Sequence, residues 1–238
     1  MMFRALAVLI VLVTGSMSLP AQFIYRFAAG LGVHPKFGIN AGEIPTGTKT
    51  GVAFTGVPDI WAQGILPLDR YGEITVGLDI GYSSHAFITK PGDADTTTDA
   101  NTFVQHYRYL GIAPTFYLNV LGLGLNIGIP LGGTLRNRSG TVEKTVETSD
   151  MGVLLELRLG ISAPLVKDPQ KGRLNVQLFA SYGLTKLPAK SYELIRLGPQ
   201  PPVDERYSPR IAALAVGLSY HFFFGVERAT VGLSPIHL

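Results

Sequence analysis

Between Tyr107 and Leu135 the chain reads YRYLGIAPTFYLNVLGLGLNIGIPLGGTL, and no other stretch restricts the fold as much. Leu121, Leu123, Leu125, Ile127, Ile129 and Leu131 share one parity, while Gly122, Gly124, Asn126, Gly128, Pro130 and Gly132 share the other. Side chains on a strand point alternately to its two faces, so one face of this run is apolar and the other is small or polar. Leu110, Ile112, Phe116 and Leu118 oppose Tyr109, Gly111, Ala113, Thr115 and Tyr117 in the same way. Asn119 and Val120 leave room only for a tight turn, so the two runs make a β-hairpin. Its arms are long. A soluble strand usually has about five or six residues, whereas about nine to eleven tilted residues cross a bilayer.

Composition points the same way. Hydrophobic residues make up 46% of the 238 residues and charged residues only 16%, against a charged share of about 25–35% on a soluble surface. A net charge of +3 is too balanced to indicate nucleic acid. Without cysteine there is neither a disulfide framework nor a thiolate metal site. The histidines at 34, 85, 106, 221 and 237 lack metal-ligand spacing, so no metal or cofactor is expected. At the N-terminus, Arg4 precedes the apolar run Ala5 to Val13, which is too short to span a membrane. Gly15, Ser16, Ser18 and Leu19-Pro20-Ala21-Gln22 follow, the pattern of a secretory signal cleaved after Ala21 or, as second choice, after Ser18. Residues 1–21 are therefore read as a signal peptide, 22–224 as one β domain and 225–238 as a C-terminal tail.

Alternation divides the mature chain into eight strands: Phe23 to about Asn40, Pro58 to Leu66, Glu73 to Thr89, the two arms of the central hairpin, Met151 to Leu165, Leu174 to Leu187, and Arg210 to Phe224. Pro35 is expected at a bulge or an edge, because it cannot donate to a ladder. Glu43 to Val57, Lys90 to Thr102, Arg136 to Asp150 and Pro188 to Pro209 are read as long loops. They alternate with short turns, which is the asymmetry of antiparallel barrels of the outer membrane. The expected fold is all-β, an eight-stranded antiparallel up-and-down transmembrane β-barrel. Closure would gather Phe23, Tyr25 and Phe27 with Tyr220, Phe222 and Phe224 at one end, and Phe116 at their level, as an aromatic girdle. Tyr82 and Tyr107 are candidates for the girdle at the other end. The rival is a secreted soluble barrel of lipocalin type, with its apolar face inward. Its outer face should carry many charges, but the polar parity here is mainly Gly, Ala, Ser, Thr and Asn.

Over Phe23 to Phe224 the strand pattern, the loop order and the aromatic last strand resemble the small eight-stranded outer-membrane barrels of Gram-negative bacteria, the outer-membrane protein A and X type. The resemblance implies an exported monomer in the outer membrane, in contact with outer-membrane lipid and lipopolysaccharide. It also implies insertion by the barrel-assembly machinery, which reads a terminal aromatic residue. Tyr220, Phe222 and Phe224 fit that signal, although Gly225 to Leu238 continue past it.

A lumen charge network is expected from Asp79 and Arg108 on strands three and four and from Glu156 and Arg158 on strand six. Buried charges must pair, so these four are read as a structural plug; a narrow gated pore is the alternative. Ser83 with His85 and Ser219 with His221 could place a nucleophile beside a base, as in lipid-modifying barrels. Both pairs run Ser-x-His, however, the reverse of the His-x-Ser pattern of lipid-A deacylases, and no catalytic residue is expected. Recognition is assigned to the loops, above all to Tyr192, Leu194, Ile195 and Leu197.

Overall fold

A computed structural model describes residues 23–24, 26–44, 47–69, 72–168, 170–187 and 209–228. The signal segment and its cleavage site, Tyr25, the apolar cluster at 192–197 and the tail beyond Arg228 lie outside the described residues. Eight staves form the wall. We number them β1 (Phe27–His34, resumed as Lys36–Asn40), β2 (Thr48–Phe54, resumed as Asp59–Pro67), β3 (Ile74–Pro91), β4 (Phe103–Leu118), β5 (Leu121–Asn137), β6 (Leu154–Asp168), β7 (Gly172–Gly183) and β8 (Ile211–Phe224). Each pairs antiparallel with its sequence neighbours, and β8 returns to β1 with Leu218 opposite Val33 and Phe224 opposite Phe27. The ring is closed, so no long edge is left to aggregate.

The apolar parity faces outward. Leu125 and Leu159 are 41% and 59% exposed, whereas Asn126 and Glu156 on the opposite parity are each 1% exposed. No solvent-exposed polar face exists along the middle of the wall, which contradicts a lipocalin-type arrangement. At the short-turn end Phe27 stacks on Phe224 with ring centroids 4.7 Å apart, and Tyr220 meets Phe222 edge-on at 5.0 Å. Phe116 is exposed on the same outer face. Tyr107 is not part of an outer girdle: it lies in the lumen, 1% exposed.

The turns follow their residues. Asn119 adopts φ 55°, a left-handed conformation that asparagine tolerates better than most residues. Asp69 and Asp168 close the other two short turns by accepting backbone N–H bonds from Ile74 and from Gln170 and Lys171.

Besides a register shift at Leu165, between Pro164 and Val166 on β6, two features depart from the pattern read in the sequence. Thr48–Phe54, expected within a loop, is a strand that pairs Phe54 with Phe37 and Thr48 with Pro91. Its Gly and Thr content hid it, because small residues there need no apolar periodicity. The second is a bulge in the central hairpin, where Arg108 faces Gly132 but Tyr109 faces Pro130. Leu131 is the extra residue, and Gly132 takes φ 103°. A bulge of one residue reverses which parity faces outward, so Leu135 is buried inside while Arg136 is exposed. Pro35 interrupts β1 as expected, and its carbonyl still accepts from Val216 N–H at 3.0 Å.

Candidate functional site

The lumen is filled in layers. At the short-turn end Ala28 and Ile65 pack with Phe223 and Val226 into an apolar floor. At the loop end Phe87, Tyr107, Tyr109, Leu154 and Ile211 form an apolar ceiling, covered by Val146, Met151 and Leu187 from the loops. Between these stoppers lie two layers of buried polar side chains, built from the inward parity of seven of the staves.

Next to the floor, Asn175 Nδ2 donates to His221 Nδ1 at 2.8 Å, and His221 Nε2 donates to Gln63 Oε1 at 3.1 Å. Gln63 Nε2 donates to Asp79 Oδ1 at 3.2 Å, and Arg158 Nη1 reaches Asp79 Oδ2 at 3.3 Å. The Arg158 guanidinium lies between two rings, 5.1 Å from the Trp61 centroid and 4.4 Å from that of Phe179. On the far side of this layer Lys36 Nζ meets Asp59 Oδ2 at 2.5 Å and donates to Ser83 Oγ at 2.9 Å. Glu156 accepts from Asn126 Nδ2 at 2.7 Å and from Ser181 Oγ at 2.8 Å, with His85 Nε2 at 3.6 Å. Buried charges are tolerable when both partners are present and their remaining lone pairs are bonded, and this network supplies those bonds. Asp59 also mends the wall: where β2 is interrupted, its Oδ1 accepts the Ser84 N–H at 2.8 Å.

Glycines make this filling possible. A Cβ on Gly111 would lie 2.4 Å from Trp61 Cη2, and one on Gly160 would lie 2.2 Å from Phe179 Cδ1. One on Gly122 would lie 2.7 Å from Tyr117 Cε1. Small inward residues of the central hairpin and of β6 thus accommodate rings, and two of those rings, Trp61 and Phe179, in turn hold Arg158.

Of the four charges expected in the lumen, Asp79, Glu156 and Arg158 are there. Arg108 is not. It shares the outward parity of Leu110 and Phe116 and is exposed on the outer wall. Inward Tyr109 and Gly111 on β4 already require this, and the cation that meets Asp79 is Arg158. The missed members, Lys36 and Asp59, flank the interruptions of β1 and β2. Carrying the parity of Gly32 and His34 through Pro35 would have found Lys36.

The two serine–histidine pairs are not poised for catalysis. Ser83 Oγ lies 3.3 Å from His85 Nε2, but it donates its proton to Asp59 Oδ2 at 3.1 Å. Ser219 is bridged to His221 through Asn175, and both ring nitrogens of His221 are engaged by amides. All four side chains are buried. A cavity of about 20 Å³ beside Lys36, Ser83 and Glu156 holds no more than a single water-sized molecule.

An apolar exterior, a closed antiparallel ring and a polar, side-chain-filled interior now stand together. The fold is an eight-stranded transmembrane β-barrel. No protein-family model and no curated protein matches the chain. Among solved structures, the barrel is similar to Neisserial surface protein A (NspA) at 8% identity and a TM-score of 0.37, covering 82% of this chain and 97% of that one. Outer membrane protein AlkL, solved in DMPC lipid bilayers, aligns at 12% identity and a TM-score of 0.36, covering 84% of this chain and 92% of that one. The outer membrane protein OprG from Pseudomonas aeruginosa aligns at 10% identity and a TM-score of 0.30, covering 86% of this chain and 100% of that one.

Proposed function

We propose that this chain is an integral outer-membrane barrel with a closed lumen, whose structural and interaction roles are carried by its loop end. The observation that supports a plug over a pore is that buried, bonded charges span the lumen in two layers. Asp79, Arg158, Lys36, Asp59 and Glu156 join residues of five different staves, and both ends are stopped by apolar side chains. An eight-stranded ring has an interior just wide enough for side chains to fill, and here Trp61, Tyr109, Tyr117 and Phe179 occupy it.

The described loops support recognition because they are ordered and tied to one another. Asn137 Nδ2 donates to Ala100 O at 3.1 Å, Arg138 N to Thr102 O at 2.9 Å and Ser139 N to Asp99 O at 3.2 Å. These bonds clamp the β3–β4 loop onto the β5–β6 loop. Glu143–Val146 adds a short strand to the end of β5. A pre-ordered surface binds without the entropic cost of ordering its loops.

Planar-bilayer recordings test the closed lumen. The purified protein is expected to give no sustained open state at moderate voltage. A steady, reproducible conductance would replace the plug with a pore.

A further inference from the structure

The outer wall carries a charged cluster in one sector that the lumen network does not use. Arg108 and Arg136 are exposed on the outward face of adjacent strands β4 and β5, and His106 lies between them. Thr134 is the partner of His106, Gly132 of Arg108 and Val104 of Arg136. By this spacing His106 lies within about 8 Å of each arginine, and the two arginines, four residues apart along the pair, flank it about 14 Å apart at their Cα atoms. Neither arginine has an ion pair among the described residues; Glu143 stands opposite Arg136 in the pairing without forming one. Toward the loop end of β1, β7 and β8, the corresponding outward positions carry Phe37, Tyr182 and Leu214. The cationic sector is therefore local and does not form a ring around the barrel.

Its depth is informative. On β4 the outward apolar run extends from Leu118 to Leu110. That is about 27 Å along the strand at about 3.4 Å per residue, and about 21 Å of membrane depth at a tilt of about 40°. Arg108 is the next outward residue, about 5 Å higher. An apolar band on such barrels is about 25 Å tall, so Arg108 emerges where the hydrocarbon ends, and Arg136, paired with Val104 four residues farther along, stands about 10 Å above it. Their aliphatic stems can lie along the wall with the guanidinium in the headgroup layer. Guanidinium groups there offer a fork of donors that matches a phosphate.

We propose that Arg108, Arg136 and His106 form a binding site for the phosphate of an anionic lipid in the loop-side leaflet, its acyl chains lying against Leu110, Ile112, Ile127 and Ile129. The site fixes one lipid on one side of the barrel and gives an otherwise smooth wall a preferred neighbour. It rests on the membrane reading above and extends it to a lipid class and a set of contacts.

Native mass spectrometry of the full chain in detergent, with bisphosphorylated lipid A or its dephosphorylated counterpart added, tests this. The wild-type barrel is expected to retain the phosphorylated lipid preferentially. A basic side chain near an anionic membrane surface contributes about fivefold, so Arg108→Gln with Arg136→Gln should reduce retention by about 25-fold. Heat-modifiable gel migration reports folding of both proteins and should be unchanged, because both substitutions lie on the outer surface. Equal retention of the two lipids by the wild type would overturn the proposal, as would full retention by the double variant. A protein that stays soluble without detergent would overturn the membrane reading itself, and the lipid site with it.

Discussion

Arg158→Ala is expected to lower the unfolding free energy by about 3–5 kcal/mol, the cost of leaving a buried charge without its partner. Asp79 has one cation in reach, Arg158, and is otherwise held by the Gln63 amide. Truncation also removes the guanidinium from between Trp61 and Phe179, contacts worth about 0.5–2 kcal/mol each. The measurement is a urea titration of the barrel in lipid vesicles, read by heat-modifiable gel migration. Arg158→Met combined with Asp79→Asn removes both charges at similar volume and should recover most of the loss. If the single variant is as stable as wild type, the pair contributes no stability and the lumen is not a plug.

The second large effect lies on the other face of the wall. Leu125→Arg puts a charge on an outward position near the middle of β5, between Leu123 and Ile127. An arginine facing the bilayer midplane costs about 2–4 kcal/mol, and the same titration in vesicles should show that loss. Arg108 illustrates the opposite case: it is a native outward arginine, tolerated because it stands just above the apolar run and not within it. A Leu125→Arg protein of wild-type stability would mean that this face meets water.

The two variants also mark where alternation was readable and where it was not. On β8, on β5 before Leu131 and on β6 before Leu165, a period of two placed Leu125, Leu157 and Leu218 outward and Asn126, Glu156 and Ser219 inward, and the structure agrees. Parity alone assigns faces correctly until a strand gains a residue. The bulge at Leu131 does that, and beyond it Leu135 turns inward and Arg136 outward. The interruptions of β1 at Pro35 and of β2 between Phe54 and Asp59 leave parity intact, with Lys36 inward like His34 and Asp59 inward like Trp61, so the Lys36–Asp59 ion pair was missed because the alternation was not carried to these two residues. Partner choice is a different problem. Asp79 and Arg158 stand on β3 and β6, which are not neighbours in the wall, and only closure of the ring brings them together. Strand pattern contains which residues face inward, but not which of them meet across the lumen.

Trp61 is the chain's one tryptophan, is 2% exposed, and stands inside the barrel against Arg158 and Gly111. Its fluorescence therefore reports on the lumen alone, and quenching it from each side in turn tests the filled, outward-apolar barrel most directly. In vesicles of the folded protein, neither aqueous acrylamide nor lipids brominated along their acyl chains should quench Trp61 appreciably, and acrylamide should do so once urea unfolds the chain. Quenching of the folded protein by acrylamide would show a lumen open to water, and quenching by the brominated lipids would place the Trp61 face against the membrane; either result contradicts the structure of the lumen set out above.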